Sequence, residues 1–141
     1  LTVSGVAEFS QLTADQPAWV LELVEGIRRY RCEINLSSGE ATLTHTDDLN
    51  PEGPPVTLGT APTPVRGAGR YRFDFANVDD RLSLWINGRL IALPNGGGYL
   101  APALRDPREG DLTPVGLAAR GATAEFGELV IRRDIYYRAE G

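Results

Sequence analysis

The stretch "RYRFDFANVDDRLSLWINGRL", Arg70–Leu90, alternates apolar and polar residues on both sides of a break. Tyr71, Phe73 and Phe75 fall on one face, Arg70, Arg72 and Asp74 on the other. After the break at Asn77–Asp80, Leu82, Leu84 and Ile86 take the apolar face. Arg81, Ser83, Trp85 and Asn87 take the polar one. Period-two alternation marks an antiparallel strand with one face in a core and one in water. Asn87-Gly88 then opens a second hairpin, because both central positions of the tight turn need positive φ. The stretch therefore sets an antiparallel β class.

The same pattern recurs outward from it. Residues 2–9, "TVSGVAEF", alternate loosely and read as a first strand. "AWVLELVEG" places Trp19, Leu21 and Leu23 on one face and Val20, Glu22 and Val24 on the other. "IRRYRCEINL" places Tyr30, Cys32, Ile34 and Leu36 against Arg29, Arg31, Glu33 and Asn35. "SSGE" is a turn and "ATLTH" a further strand. "TDDLNPEGPP" reads as a loop, and "TLGTAPTPVRGAG" as an irregular, proline-rich segment. "RLIAL" returns as a strand before a long Gly- and Pro-rich excursion. "VGLAARGATAEFGELVIRRDIYY" adds two or three strands, with Gly127 marking a bulge. Helical periodicity is nearly absent, and no repeat of fixed period argues for a propeller or solenoid. Nine or ten strands separated by turn signals predict a jelly-roll-like antiparallel β-sandwich, one domain over residues 1–141.

Composition narrows the function. At 141 residues the chain is long enough for one domain with a substantial core. All 14 basic residues are arginine, the net charge is −5, and no basic patch is interleaved with aromatics. Nucleic acid is therefore not an expected partner. The apolar runs fall short of the roughly 20 residues of a membrane helix, so this segment is not expected to insert. A single cysteine permits no internal disulfide. The chain holds no methionine and is expected to be part of a longer protein.

Catalytic chemistry finds few residues to use. The one histidine, His45, ends a strand and reads as a surface residue; the serines are Ser4, Ser10, Ser37, Ser38 and Ser83, none in a nucleophile elbow. With no lysine, a serine–lysine dyad is impossible within this segment. Cys32 lies on the apolar face, where a thiol is a small core residue. Asp48, Asn50, Glu52 and Gly53 resemble the start of a calcium loop, but Gly59 stands where the closing glutamate is needed. One histidine and one cysteine cannot build a zinc cluster. No Glu-x-Asp-x-x-Glu string offers paired carboxylates for glycoside hydrolysis, and "NGGGY" lacks the Gly-Lys-Ser/Thr and helix of a phosphate cradle. No catalytic residue, metal or cofactor is expected. The candidate ligand-binding residues are Trp85, Arg81 and Asn87, an aromatic with a cation and an amide on one outward strand face.

"GRYRFDFANVDDRLSLWINGRLI" resembles the part of laminin G/concanavalin A-like jelly rolls in which a strand ending "NVDD" is followed by "LxLWxNG". Together with "DLTPVGLAARGATAEFGELVIRRDIYY" it is similar, more specifically, to the large insert of signal peptidase I of planctomycete-type bacteria. The closing-strand matches are Pro114–Ala122 and Leu129–Tyr137, and the resemblance covers residues 70–137. It implies a non-catalytic accessory domain in a membrane-anchored parent that cleaves signal peptides. The parent's serine, lysine and Gly-Asp-Asn-Ser box would lie outside this segment, where none of them occurs. It further implies the peptidase core of the same chain as partner, with a cell-envelope protein or glycan as the second. The location would be the extracytoplasmic face of the bacterial cytoplasmic membrane. The alternatives are a secreted carbohydrate-binding module and a sugar-active enzyme of the keto-disaccharide hydrolase type.

Overall fold

The structure is a computed structural model and describes residues 1–13, 15–47, 52–100 and 113–133. Among the described residues there are ten strands, β1 (Thr2–Ser10), β2 (Ala18–Glu25), β3 (Arg28–Asn35), β4 (Glu40–Asp47), β5 (Val56–Pro62), β6 (Gly69–Val78), β7 (Arg81–Ile86), β8 (Arg89–Leu90), β9 (Val115–Arg120) and β10 (Thr123–Arg132). They form two five-stranded antiparallel sheets, ordered β10-β1-β6-β7-β8 and β5-β4-β3-β2-β9. This is a jelly-roll β-sandwich.

The alternation read from the sequence supplies the layer between the sheets. Phe9, Tyr71, Phe73, Phe75, Leu82, Leu84 and Ile86 of the first sheet meet Trp19, Leu21, Leu23, Tyr30, Cys32, Ile34 and Leu43 of the second. Trp19 is fully buried, with its ring 5.1 Å from Phe9 and edge-on to Phe73 at 5.3 Å. β2 departs from simple alternation, since Val20 and Val24, on its outward face, are also buried. β2 lies between β3 and β9, and its outward residues are flanked by neighbours on both sides.

Two tight turns set the register around β7. Asp79 and Asp80 both have positive φ, 51° and 57°, and join Val78 to its partner Arg81. Asn87 and Gly88, at 52° and 78°, join Ile86 to Arg89. These are the backbone conformations that the right-handed strand twist requires of a two-residue hairpin. A bulge is present beside Gly127, which itself pairs with Val6: the β1–β10 register shifts between Ser4 and Val6, setting Glu128 and Leu129 opposite Gly5, and Glu128 takes φ 52°.

Three expectations need correction. "TLGTAPTPVRGAG" is not irregular throughout, because Val56–Pro62 forms β5. It is an edge strand, where a proline is tolerated. "RLIAL" gives only two strand residues before the chain leaves the sheet for a 3-10 turn over Pro94–Gly97. That turn depends on Gly97, with φ 82°, where a Cβ atom would run into the Leu82 carbonyl oxygen. Third, His45 is not a surface residue: its side chain is only 12% exposed and its ring lies 6.2 Å from Tyr30.

Candidate ligand-binding face

The outward face of the first sheet carries the predicted site. Strand pairing sets Leu90 of β8 opposite Trp85 of β7, Trp85 opposite Asp74 of β6, Asp74 opposite Ser4 of β1, and Ser4 opposite Val130 of β10. Directly opposite residues share a face and approach within about 4.5–5.5 Å at Cβ. Trp85 is half-buried and Leu90 is 60% exposed, so together they form an apolar platform. Beside it, Ser4 Oγ donates to Asp74 Oδ1 at 2.5 Å, which fixes the carboxylate near the indole.

The neighbouring row is polar. The Arg72 backbone N–H donates to Asn87 Oδ1 at 2.9 Å, and the Asn87 N–H donates to the Arg72 carbonyl at 2.8 Å. This orients the exposed Asn87 amide. The Arg72 guanidinium is held at 3.0 Å from Glu128. An aromatic plate bordered by a fixed carboxylate, an amide and a guanidinium can stack on an apolar ring face and hydrogen-bond to hydroxyls at its rim.

Of the three predicted residues, the structure brings Trp85 and Asn87 together and separates Arg81 from them. Arg81 begins β7, opposite Val78 and bridged to Gly98, four residues from Trp85. At about 3.3 Å per residue it stands about 13 Å along the strand. Arg72 occupies the place beside Asn87 instead. The residues missed at the sequence level are Asp74, Leu90, Arg72 and Ser4. The first three follow from counting across the two hairpin turns; Ser4 does not, because β1 and β6 pair across a separation of some 70 residues.

A second polar group lies at one end of the sandwich. Arg28, 8% exposed, donates through Nε to Asp47 Oδ1 at 2.8 Å and through a terminal nitrogen to the Leu100 carbonyl at 2.9 Å. The Tyr30 and Tyr99 rings stand 4.7 Å apart, and Tyr99 Oη donates to Asn77 Oδ1 at 2.5 Å. Burial, then the hydrogen bond with Tyr30, pushes the Tyr99 phenol far up; burial also raises Tyr30. His45 Nδ1 lies 3.6 Å from Asp47 Oδ1, too far for a hydrogen bond, and burial together with the charge of Arg28 lowers its pKa. Burial likewise pushes the Cys32 thiol up to about 12, which removes the thiolate that chemistry would need. These bonds tie β3, β4, β6 and residues 99–100 together, a structural task. Of the calcium-like run, Asp48 and Asn50 lie outside the described residues.

On the outward face of the second sheet, a depression of about 490 Å³ is lined by Asp15, Gln16, Glu33, Asn35, Ser38 and Glu40, among others. Glu33 pairs with Arg120, and Asn35 Oδ1 caps the Ser37 and Ser38 amides. The lining is polar and carries no aromatic plate.

No family model matches the chain, and no curated protein matches it. Among solved structures it is similar to the crystal structure of the Caenorhabditis elegans galectin LEC-6. The TM-score is 0.56, the identity 11%, and the match covers 92% of this chain and 81% of the galectin. The two share a fold. At that identity the likeness carries the jelly-roll architecture and no residue-level correspondence.

Proposed function

We propose that this chain is a non-catalytic recognition module of carbohydrate-binding type, carried as an accessory insert by a membrane-anchored signal peptidase I. The observation that carries the recognition reading is the Leu90–Trp85–Asp74–Ser4 row, an apolar plate beside a fixed carboxylate on an otherwise solvated sheet. The likeness to a galectin, a lectin by name, supports it at the level of fold. The parent rests on the resemblance over residues 70–137. On this reading the peptidase core of the same chain is one partner and an envelope glycan the other, met at the extracytoplasmic face of the bacterial membrane.

Two measurements test the two halves separately. Trp85 is a built-in reporter, so its fluorescence is followed while neutral and acidic oligosaccharides are titrated to millimolar concentration. Saturable change in the wild type, absent in Trp85→Ala, is the expected result. A flat response to every glycan removes the carbohydrate reading. For the parent, the natural gene is sequenced on both sides. An upstream membrane span, serine and lysine region with a downstream Gly-Asp-Asn-Ser box is expected. Flanking sugar-processing domains would remove the peptidase reading and leave the other standing.

A further inference from the structure

The Trp85 plate is one end of a row that crosses four strands. From Trp85 on β7 the row runs through Asp74 on β6 and Ser4 on β1 to Val130 on β10. Neighbouring strands stand about 4.8 Å apart, so Val130 lies about 14 Å from Trp85 across the sheet. Val130 is 43% exposed and offers a second apolar patch on the same outward face. Between the two patches lie Asp74 and Ser4, hydrogen-bonded to one another.

The two flanks of this row differ. On one side stands the Arg72–Glu128 ion pair. Arg72 belongs to β6 and Glu128 to β10, and β1 runs between them. The pair therefore bridges β1 above Val6, which faces outward opposite Arg72 and yet is only 7% exposed. The β10 bulge makes the bridge: it sets Glu128 and Leu129 opposite Gly5 and carries Glu128, at φ 52°, to 3.0 Å from Arg72. Re-aiming one side chain is a recurrent use of a bulge. The other flank is low. It runs from Ser83 through Ala76 and Thr2 and rises at Arg132, two residues from Val130 on the same face. Arg132 is exposed and, among the described residues, forms no ion pair.

Charge is thus sorted along the row. The Trp85 end holds the Asp74 carboxylate. At the Val130 end Glu128 neutralises Arg72, and Arg132 is left as one uncompensated positive charge. We infer that this face takes a linear acidic oligosaccharide lying across the strands, with a neutral ring on Trp85 and a uronate at the Val130 end, against Arg132. The inference rests on the carbohydrate reading above and adds length, direction and charge to it. A pyranose ring in an extended chain advances by about one strand spacing, so roughly four rings reach from Trp85 to Val130. One guanidinium matches one carboxylate, which it holds by two parallel N–H···O bonds. Beside Asp74 the same carboxylate would meet a like charge, and this sets the direction of the chain.

The probes are β-1,4-linked glucose and N-acetylglucosamine oligomers of increasing length. Each tetramer is also made with a glucuronate at one end or the other. Binding to the 141-residue chain is read from Trp85 fluorescence at low ionic strength. Affinity is expected to rise up to the tetramer and then to level off. One acidic tetramer should bind about fivefold tighter than the neutral one, the gain of a single exposed charge-assisted pair. High salt should remove that margin by screening. Arg132→Gln should bring the acidic-to-neutral ratio to about one and leave the neutral tetramer within about twofold of the wild type. Arg31→Gln, the same change of charge on the other sheet, should leave the ratio intact. A monosaccharide bound as tightly as the tetramer overturns the inference and leaves the carbohydrate reading standing. So does an acidic tetramer bound no tighter than the neutral one, or a preference that survives Arg132→Gln. No response to any probe overturns both.

Discussion

Leu84 and Trp85 are adjacent in the chain and opposite in consequence, and replacing each by alanine measures the register of β7. Leu84 is fully buried, opposite Phe75 and between the two sheets. Truncation removes three carbons' worth of buried side chain and leaves a cavity that the flanking strands cannot close, at a cost of about 3 kcal/mol. For a domain of this size, each kcal/mol moves the melting temperature by about 4 °C, so Leu84→Ala should melt about 12 °C lower. Trp85 has much the larger side chain, but it lies on the outward face against Leu90 and is half-buried. Its loss forfeits one cross-strand aromatic contact, about 1 kcal/mol. The assay is urea unfolding at pH 7.5 followed by far-ultraviolet circular dichroism, since Trp85→Ala leaves only Trp19 to fluoresce. A one-residue slip of β7 would exchange the two faces. Trp85→Ala costing as much as Leu84→Ala, or more, would refute the inward and outward assignment, and with it the platform on which the proposed ligand rests.

Lowered by burial and by Arg28, His45 in the folded chain takes up its proton at a lower pH than the ordinary 6.5 of the unfolded chain. The unfolded state therefore binds more protons below that value, and stability should fall as pH drops from about 6.5 toward the folded pKa. His45→Gln should flatten this slope between pH 7 and 5.5 in urea midpoints; an unchanged slope would mean another group carries it. Cys32, with its thiol at about 12, should resist a thiol reagent at pH 8 in native buffer and react fully in urea; rapid native labelling would show the sandwich opening around β3. Gly97→Ala meets both a positive φ and the Leu82 carbonyl. It should cost about 2–4 kcal/mol, against about 1 for alanine at the exposed Gly96, which shares the positive φ but meets nothing within 4 Å, read by thermal melting; equal costs would remove the close approach of that turn to β7.

What the residues determined alone was everything governed by short range. Side-chain alternation has a period of two, so Tyr71, Phe73, Leu82 and Leu84 had to share a face once they were in strands. Asn87-Gly88 and the two aspartates at 79 and 80 fixed both turns, because few dipeptides accept positive φ twice. Those turns in turn fix the pairs Trp85–Asp74 and Trp85–Leu90 by counting, so most of the candidate face was written in one 21-residue stretch. β5 was hidden because Pro62 and Gly59 mask the alternation, and it is a strand only by pairing with β4. The burial of His45 was hidden because its strand lies over Tyr30, an inter-strand fact.

Only the tertiary structure decided which strands lie beside one another. β1 stands between β6 and β10, nearly the whole chain apart in sequence, and that placement brings Ser4 to Asp74 and leaves β10 at the rim. The same placement exposes Leu129, Val130 and Ile131, which in sequence look like any buried strand. The physical reason is that hydrophobic burial is non-directional: it says which residues must leave water, while the closure of two sheets decides which of them find cover.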